Sequence, residues 1–195
     1  MTAPGAAVTL VSEATLYTVT YVEVMPPSVT DAAGWLARYR DASDGDRGLV
    51  RFELLHPEAG DYARIRKSND LSCVLKVTAA GRSLLLASDI EARAESALLA
   101  RGRERLQADV LLVPHHGSRT SSMPEFVAAV GARDVIFPVG YRNRFGHPKA
   151  EVVARYDGAR QWRSDRDGAV SVQLGGAGVT IATERAGRRR YWHGS

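Results

Sequence analysis

The stretch "DVLLVPHHGSRTSS", Asp109 to Ser122, decides how this chain is read. An apolar run from Val110 to Val113 closes on Pro114 and delivers His115, His116 and Gly117, followed by the hydroxyls of Ser118, Thr120, Ser121 and Ser122. A continuous apolar run of that length is the pattern of a strand covered on both faces. Two of the chain's five histidines stand side by side at its end. Upstream, "RSLLLASD" is a second apolar run, and it ends on Asp89. Between the two lies "EARAESALLARGRERL", where Ala94, Ala97, Leu98 and Leu106 recur near one face of a helix. A strand, a helix and a strand in succession carry both strand ends to one rim of a sheet, where α/β proteins place their sites.

The pattern continues downstream. Ser122 starts a helix ahead of "MPEFVAAVGA"; "DVIFPV" is a strand, "GYRNRFGHP" a loop and "KAEVVARYDGA" a helix. Two closing strands, "GAVSVQL" and "GVTIAT", meet in the turn Gly175 to Gly178. Before the central stretch, "LVRFELLH" is a strand, "PEAGDYARIRKSND" a polar loop, and "LSCVLKVT-AAG-RSLLLASD" a hairpin. Residues 8–24 alternate as one or two strands, Pro26 and Pro27 interrupt them, and Asp31 is placed to cap a short helix through Arg40. The turn-rich Asp44 to Gly48 marks a boundary. The expected organisation is a leader over 1–49, an α/β layered domain over 50–184, and a basic tail over 185–195 that frays.

Composition is that of a globular chain: 195 residues, 45% hydrophobic and 25% charged. A net charge of +4 is compatible with a polyanionic partner without demanding one. A single cysteine, Cys73, excludes an internal disulfide and a cysteine-rich zinc cluster. It lies in the alternating "SCVLKV" and reads as a buried structural thiol. No run approaches the roughly 18 apolar residues that span a membrane, and the N-terminus lacks the pattern of a signal peptide.

Asp89 and His115 at one rim offer an oxygen and an imidazole, donors that suit zinc, manganese or iron. Gly117 lets backbone approach a ligand, and His147 in "FGHP" follows the next strand onto the same rim. A plain reading stands beside this one: a strand-end aspartate also caps the helix that follows. Spacing alone leaves both open.

The runs "RFELLHP", "NDLSCVL", "SDIE" (where the family has GDIE), "VPHHGSRTSS", "VGYRNRFGHP" and "SDRDGAV" occur in the order of one family. From about Val50 to Leu174 the chain resembles the C-terminal metallo-β-lactamase-like domain of ComEC-type competence proteins, the DNA-internalisation channels of bacterial transformation. The resemblance implies part of an αββα layered fold, its C-terminal half, with a mixed sheet flanked by helices. It implies a metal-dependent nuclease that degrades the non-transported strand, with manganese or zinc as cofactor. Asp89 matches the bridging aspartate and His115 a histidine ligand; His116, Ser118 and His147 match positions lining the cleft. The sequence departs from the family in lacking an HxHxDH loop and the initial DVGQGD strand, and in placing Ser88 where the family has glycine.

In the intact family site two metals hold a bridging water that attacks phosphorus. Carried onto this chain, Asp89 bridges, His115 ligates, His116 or His147 serves the phosphorane or the leaving oxygen, and Arg119, Arg142 and Arg144 beside Asn143 neutralise phosphates. A catalytic metal normally takes three protein ligands, so the missing loop points to an impaired site. His56 is read as structural and Asp165 and Asp167 as a turn; Tyr141, Phe145 and Trp162 could stack on bases, but aromatics near strand ends are more often core edge, and they are read so. The Asp89 carboxylate is expected within roughly 4–7 Å of the His115 ring, close enough to share an ion or a water. Three functions remain open: the nuclease-like domain, a non-catalytic module that binds DNA or docks on a partner, and a metal-dependent hydrolase of another ester or phosphodiester. The partners implied are DNA, the membrane competence machinery and its channel, and a second chain completing the half-site.

Overall fold

The computed structural model describes residues 7–12, 20–25 and 50–187. The expected helix from Asp31 to Arg40, the boundary at Asp44 to Gly48 and the tail beyond Gly187 lie outside the described residues. Two antiparallel strands, β1 (Ala7–Ser12) and β2 (Thr20–Met25), form a hairpin. The main sheet comprises β3 (Val50–His56), β4 (Val74–Ala79), β5 (Arg82–Leu86), β6 (Val110–Leu112), β7 (Asp134–Phe137) and β8 (Arg160–Arg163), in that spatial order. β3, β4 and β5 pair antiparallel, and β5 to β8 pair parallel. The sheet is therefore mixed and flanked by helices, as the strand–helix alternation predicts. The polar loop contains a one-turn helix at Asp61–Arg64 and a 3-10 turn at Asn69–Leu71.

Strand period sorts the core. On one face Leu85, Leu111, Val135 and Phe137 pack with Leu98, Phe126, Val152 and Tyr156, which come from or adjoin the helices α1 (Ala92–Arg101), α2 (Pro124–Val130) and α3 (Ala150–Ala154). On the other face Leu84, Val110, Leu112 and Ile136 meet Val170, Val172 and Leu174 of β9 (Val170–Gly175). Alternate residues of β5, β6 and β7 serve opposite layers, which is why Leu84–Leu86, Val110–Leu112 and Val135–Phe137 are apolar without alternation. β9 pairs antiparallel with β10 (Gly178–Thr183), and β1 runs close to β9.

Two readings are corrected here, and one strand has no signal in the sequence. That strand is β8: "RQWR" carries no apolar period, yet it joins the sheet. Arg160 and the Trp162 indole donate to the two oxygens of buried Asp134 at 2.7 and 2.9 Å, tying the edge strand to β7. Cys73 is exposed rather than buried, because it stands just before β4 and the inward position is taken by Val74. Ser122 does not cap α2. It adopts a left-handed φ of 62°, and the buried Glu95 carboxylate of α1 accepts the Ser122 and Met123 N–H groups at 2.5 and 2.7 Å instead. A side chain 27 residues upstream thus does the work of a local cap.

Candidate functional site

The parallel strands β5, β6 and β7 end together, and the segments that leave them carry Asp89, His115 with His116, and His147. The His115 N–H donates to the Ser88 carbonyl at 2.9 Å, joining the first segment to the second. The Lys149 N–H donates to the Gly117 carbonyl at 3.0 Å, joining the second to the third. Asp89 caps nothing: α1 starts with Glu91 at its N-cap, without a side-chain capping bond.

Backbone conformation aims the histidines. His115 (φ 47°, ψ 42°) and His116 (φ 55°, ψ 19°) are consecutive left-handed residues, each costing about 1–2 kcal/mol relative to ordinary conformations. Such residues persist where the surroundings over-determine them. Here the Ser121 hydroxyl donates to the Pro114 carbonyl at 3.0 Å, and the Ser118 N–H to the His115 carbonyl at 2.9 Å. Gly117, at φ 78°, lies so close to Pro148 that a Cβ would stand 2.7 Å from the proline Cβ.

The two rings consequently diverge. His116 Nδ1 lies 2.7 Å from the Pro138 carbonyl; a carbonyl only accepts, so Nδ1 carries the proton and Nε2 faces outward. That Nε2 meets Asp89 Oδ1 at 3.4 Å. The charged partner of Asp89 is therefore His116. His115 turns its Nδ1 to the Thr120 hydroxyl at 3.2 Å and to Glu91 at 3.5 Å. The His115 ring stands 6.3 Å, centroid to centroid, from both His116 and His147. Burial, followed by the charges of Lys149, His115 and His116, lowers the His147 pKa, so that ring is neutral at neutral pH. Its Nδ1 is buried without a hydrogen-bond partner.

Glu91 was missed from sequence, although it ends the "SDIE" run. Its carboxylate is nearly buried and accepts from Lys67 Nζ at 2.5 Å and Asn69 Nδ2 at 3.1 Å. Burial opposes its charge, but the bonds from Lys67 and Asn69 and the charges of Lys67 and His115 outweigh that and hold its pKa below the usual glutamate value. The result is a fixed anion behind His115. His56 is structural as read: buried, it lies 2.6 Å from the Asp70 carbonyl through Nε2 and 3.2 Å from Arg101 through Nδ1.

The other expected residues divide. The Ser118 hydroxyl is buried within its own loop at 3.2 Å from Thr120. Arg119 pairs with Glu151. Asn143 folds inward, its amide exchanging hydrogen bonds with the His147 backbone at 2.8 and 2.9 Å. Arg142 and Arg144 are exposed, and no carboxylate among the described residues pairs with either. Asp165 and Asp167, read from sequence as a turn, lie in a one-turn helix, Ser164–Asp167, and brace Arg163.

No family model matches the chain. It is 34% identical over 171 residues to competence protein ComA of Neisseria gonorrhoeae, a match covering 85% of this chain. It is 32% identical over 123 residues to ComE operon protein 3 of Bacillus subtilis, covering 62% of this chain. The chain is a relative of the ComEC-type competence proteins. It spans 23% of the length of the Neisseria protein and 15% of the Bacillus one. An uncharacterised Escherichia coli protein, YcaI, is 36% identical over 121 residues, 61% of this chain and 16% of that protein. In this ComEC relative, no helix among the described residues is long and apolar enough to cross a membrane.

The metal that the resemblance implies requires converging donors. His116 Nε2 and Asp89 Oδ1 face each other at 3.4 Å, about the separation of two ligands on one tetrahedral zinc. The Nδ1–H bond to the Pro138 carbonyl orients the ring as an outer-shell partner does in metal sites. No third donor joins them: among the described residues no group of three histidine, cysteine, aspartate or glutamate side chains is placed to hold an ion. Two donors make a notch, and a catalytic centre normally takes three. The described residues do not fit a complete metal site.

Proposed function

We propose that this chain is a DNA-handling domain acting in DNA uptake during competence, built on part of a metallo-β-lactamase-like fold, and that its histidine rim binds the phosphodiester backbone. The observation that carries this reading is the convergence of Asp89, His115, His116 and His147 on one rim beside two exposed arginines without carboxylate partners. The relationship to competence proteins names the process in which DNA would be met. Arg142 and Arg144 neutralise phosphate charge. In the family's chemistry strand cleavage uses a metal-activated water, and among the described residues two donors face each other where a catalytic metal normally takes three. DNA binding is therefore the function proposed for the rim, with cleavage impaired.

Binding by counterion release is indifferent to sequence and falls steeply with salt. Arg142→Ala with Arg144→Ala should reduce the slope of log affinity against log salt by about 2, close to one unit per lost phosphate contact. Fluorescence anisotropy across a salt series measures this. An unchanged slope, with all affinity lost on deleting residues 185–195, would place binding in the tail and refute the rim. A second assay addresses cleavage: purified protein with manganese should leave DNA intact. Robust cleavage abolished by Asp89→Ala would overturn the impaired-cleavage reading and direct attention to Asp31, Asp41, Asp44 and Asp46 as further ligands.

A further inference from the structure

In sequence the loop from Gly140 to His147, "GYRNRFGH", reads equally as a phosphate-neutralising or a solvated loop, with aromatics at the core edge. Tyr141 and Phe145 instead stand 59% and 61% exposed. Single exposed aromatics are ordinary, but these two share a short loop and each carries a cation on its face. The Arg142 guanidinium lies 5.2 Å from the centre of the Tyr141 ring, and that of Arg144 lies 5.0 Å from the centre of Phe145. Phe145 also stacks on His147, with centroids 5.9 Å apart and planes 17° from parallel. His147 is in turn 6.3 Å from His115. A series of rings thus runs from Phe145 through His147 to His115 and His116 in the histidine rim.

The loop is also stiff. Asn143 turns inward and holds the Gly140 carbonyl at 3.4 Å and the His147 backbone at 2.8 and 2.9 Å, while Lys149 Nζ donates to the Phe145 carbonyl at 2.7 Å. Inward Asn143 forces its neighbours outward, so two rings and two guanidiniums share the outer surface. Ring faces for bases, with cations spaced between them for phosphates, are what an unpaired strand requires and a duplex cannot use, since its bases are already stacked.

We infer that this loop is a base-stacking platform for single-stranded DNA, with Tyr141 and Phe145 taking bases and Arg142 and Arg144 the phosphates between them. The inference rests on the DNA-binding reading above and adds strand selectivity to it. As a base settles on each ring, the guanidinium leaves the ring face for the adjacent phosphate, exchanging a cation–π contact for a charge-assisted pair. The strand is led over Phe145 toward His147 and the rim.

The test compares a 12-nucleotide strand carrying 2-aminopurine with its 12-base-pair duplex, each titrated with the full chain at about 100 mM salt. Tyr141→Leu and Phe145→Leu keep apolar bulk on an exposed loop but remove the π-face. Each should weaken single-strand binding by about 5- to 100-fold, reduce the quenching of 2-aminopurine, and change duplex affinity by less than about 2-fold. Wild-type protein that binds duplex as tightly as single strand, or leucine variants that weaken both alike or neither, would overturn the platform while leaving DNA binding at the rim intact. Wild-type protein that binds neither form would overturn the DNA reading itself, and the platform with it.

Discussion

Gly117→Ala tests whether the histidine segment is held by backbone contact. The added Cβ would stand 2.7 Å from Pro148 Cβ and 3.1 Å from Phe137 Cδ1, whereas carbon atoms pack at about 3.5–4.0 Å. Neither neighbour yields easily: the proline ring is rigid, and Phe137 is fully buried among core residues. Conformation adds to the clash, because alanine at φ 78° costs about 1–2 kcal/mol. Overpacking costs about 1–3 kcal/mol, and the stiffer unfolded chain returns about 0.4–1 kcal/mol. The net is a loss of about 1–4.5 kcal/mol, centred near 3, which for a chain of this size lowers Tm by roughly 2–18 °C. Thermal unfolding followed by circular dichroism reads it, with Gly176→Ala as control. No atom lies within 4 Å of a Cβ at Gly176, so that variant should stay within about 0.5 kcal/mol of the parent. A Gly117→Ala protein melting within about 2 °C of the parent would refute the argument.

Ser88→Gly should act in the opposite sense. Ser88 is exposed with φ 52°, and glycine there should gain about 0.5–1 kcal/mol net of its entropy cost; a urea midpoint that falls would show that no strain was stored. Glu95 sets a pH dependence: burial, opposed by the Met123 and Ser122 N–H bonds and the Arg155 charge, raises its pKa from 4.5 to about 7. A raised acid stabilises the fold fully below its unfolded pKa, and that contribution is lost as pH rises through 7. Glu95→Gln should therefore flatten the fall in stability between about pH 4.5 and 7, a span on the order of 2–3 kcal/mol, and identical pH slopes for the two proteins would contradict this. Asp89→Ala should leave DNA affinity unchanged or raise it by removing a negative charge from the rim; a loss of binding above about 5-fold would assign Asp89 a direct part in holding DNA.

Order along the chain was enough to assemble the rim, because consecutive parallel strands joined by right-handed crossovers must end on one edge. Asp89, the His115–His116 pair and His147 each follow an apolar run, and the structure brings them to the same edge. What lay beyond the sequence depends on direction or on distance through space. The choice of His116 over His115 as the Asp89 partner follows from two consecutive left-handed residues, a conformation that no residue type announces. Glu91 became visible only when Lys67 and Asn69, 24 and 22 residues upstream, closed on it, and β8 only when Asp134 drew in Arg160 and Trp162. Tyr141 and Phe145 have the composition of core-edge residues, and Asn143 turned them outward. The apolar periods by themselves determined the layers, the parallel strands and the edge on which polar residues collect, since burial acts on every residue of a strand alike. Tertiary structure alone decided which donors meet and that their number stops at two among the described residues, because coordination depends on side-chain direction over a few ångströms, a length that strand period does not resolve.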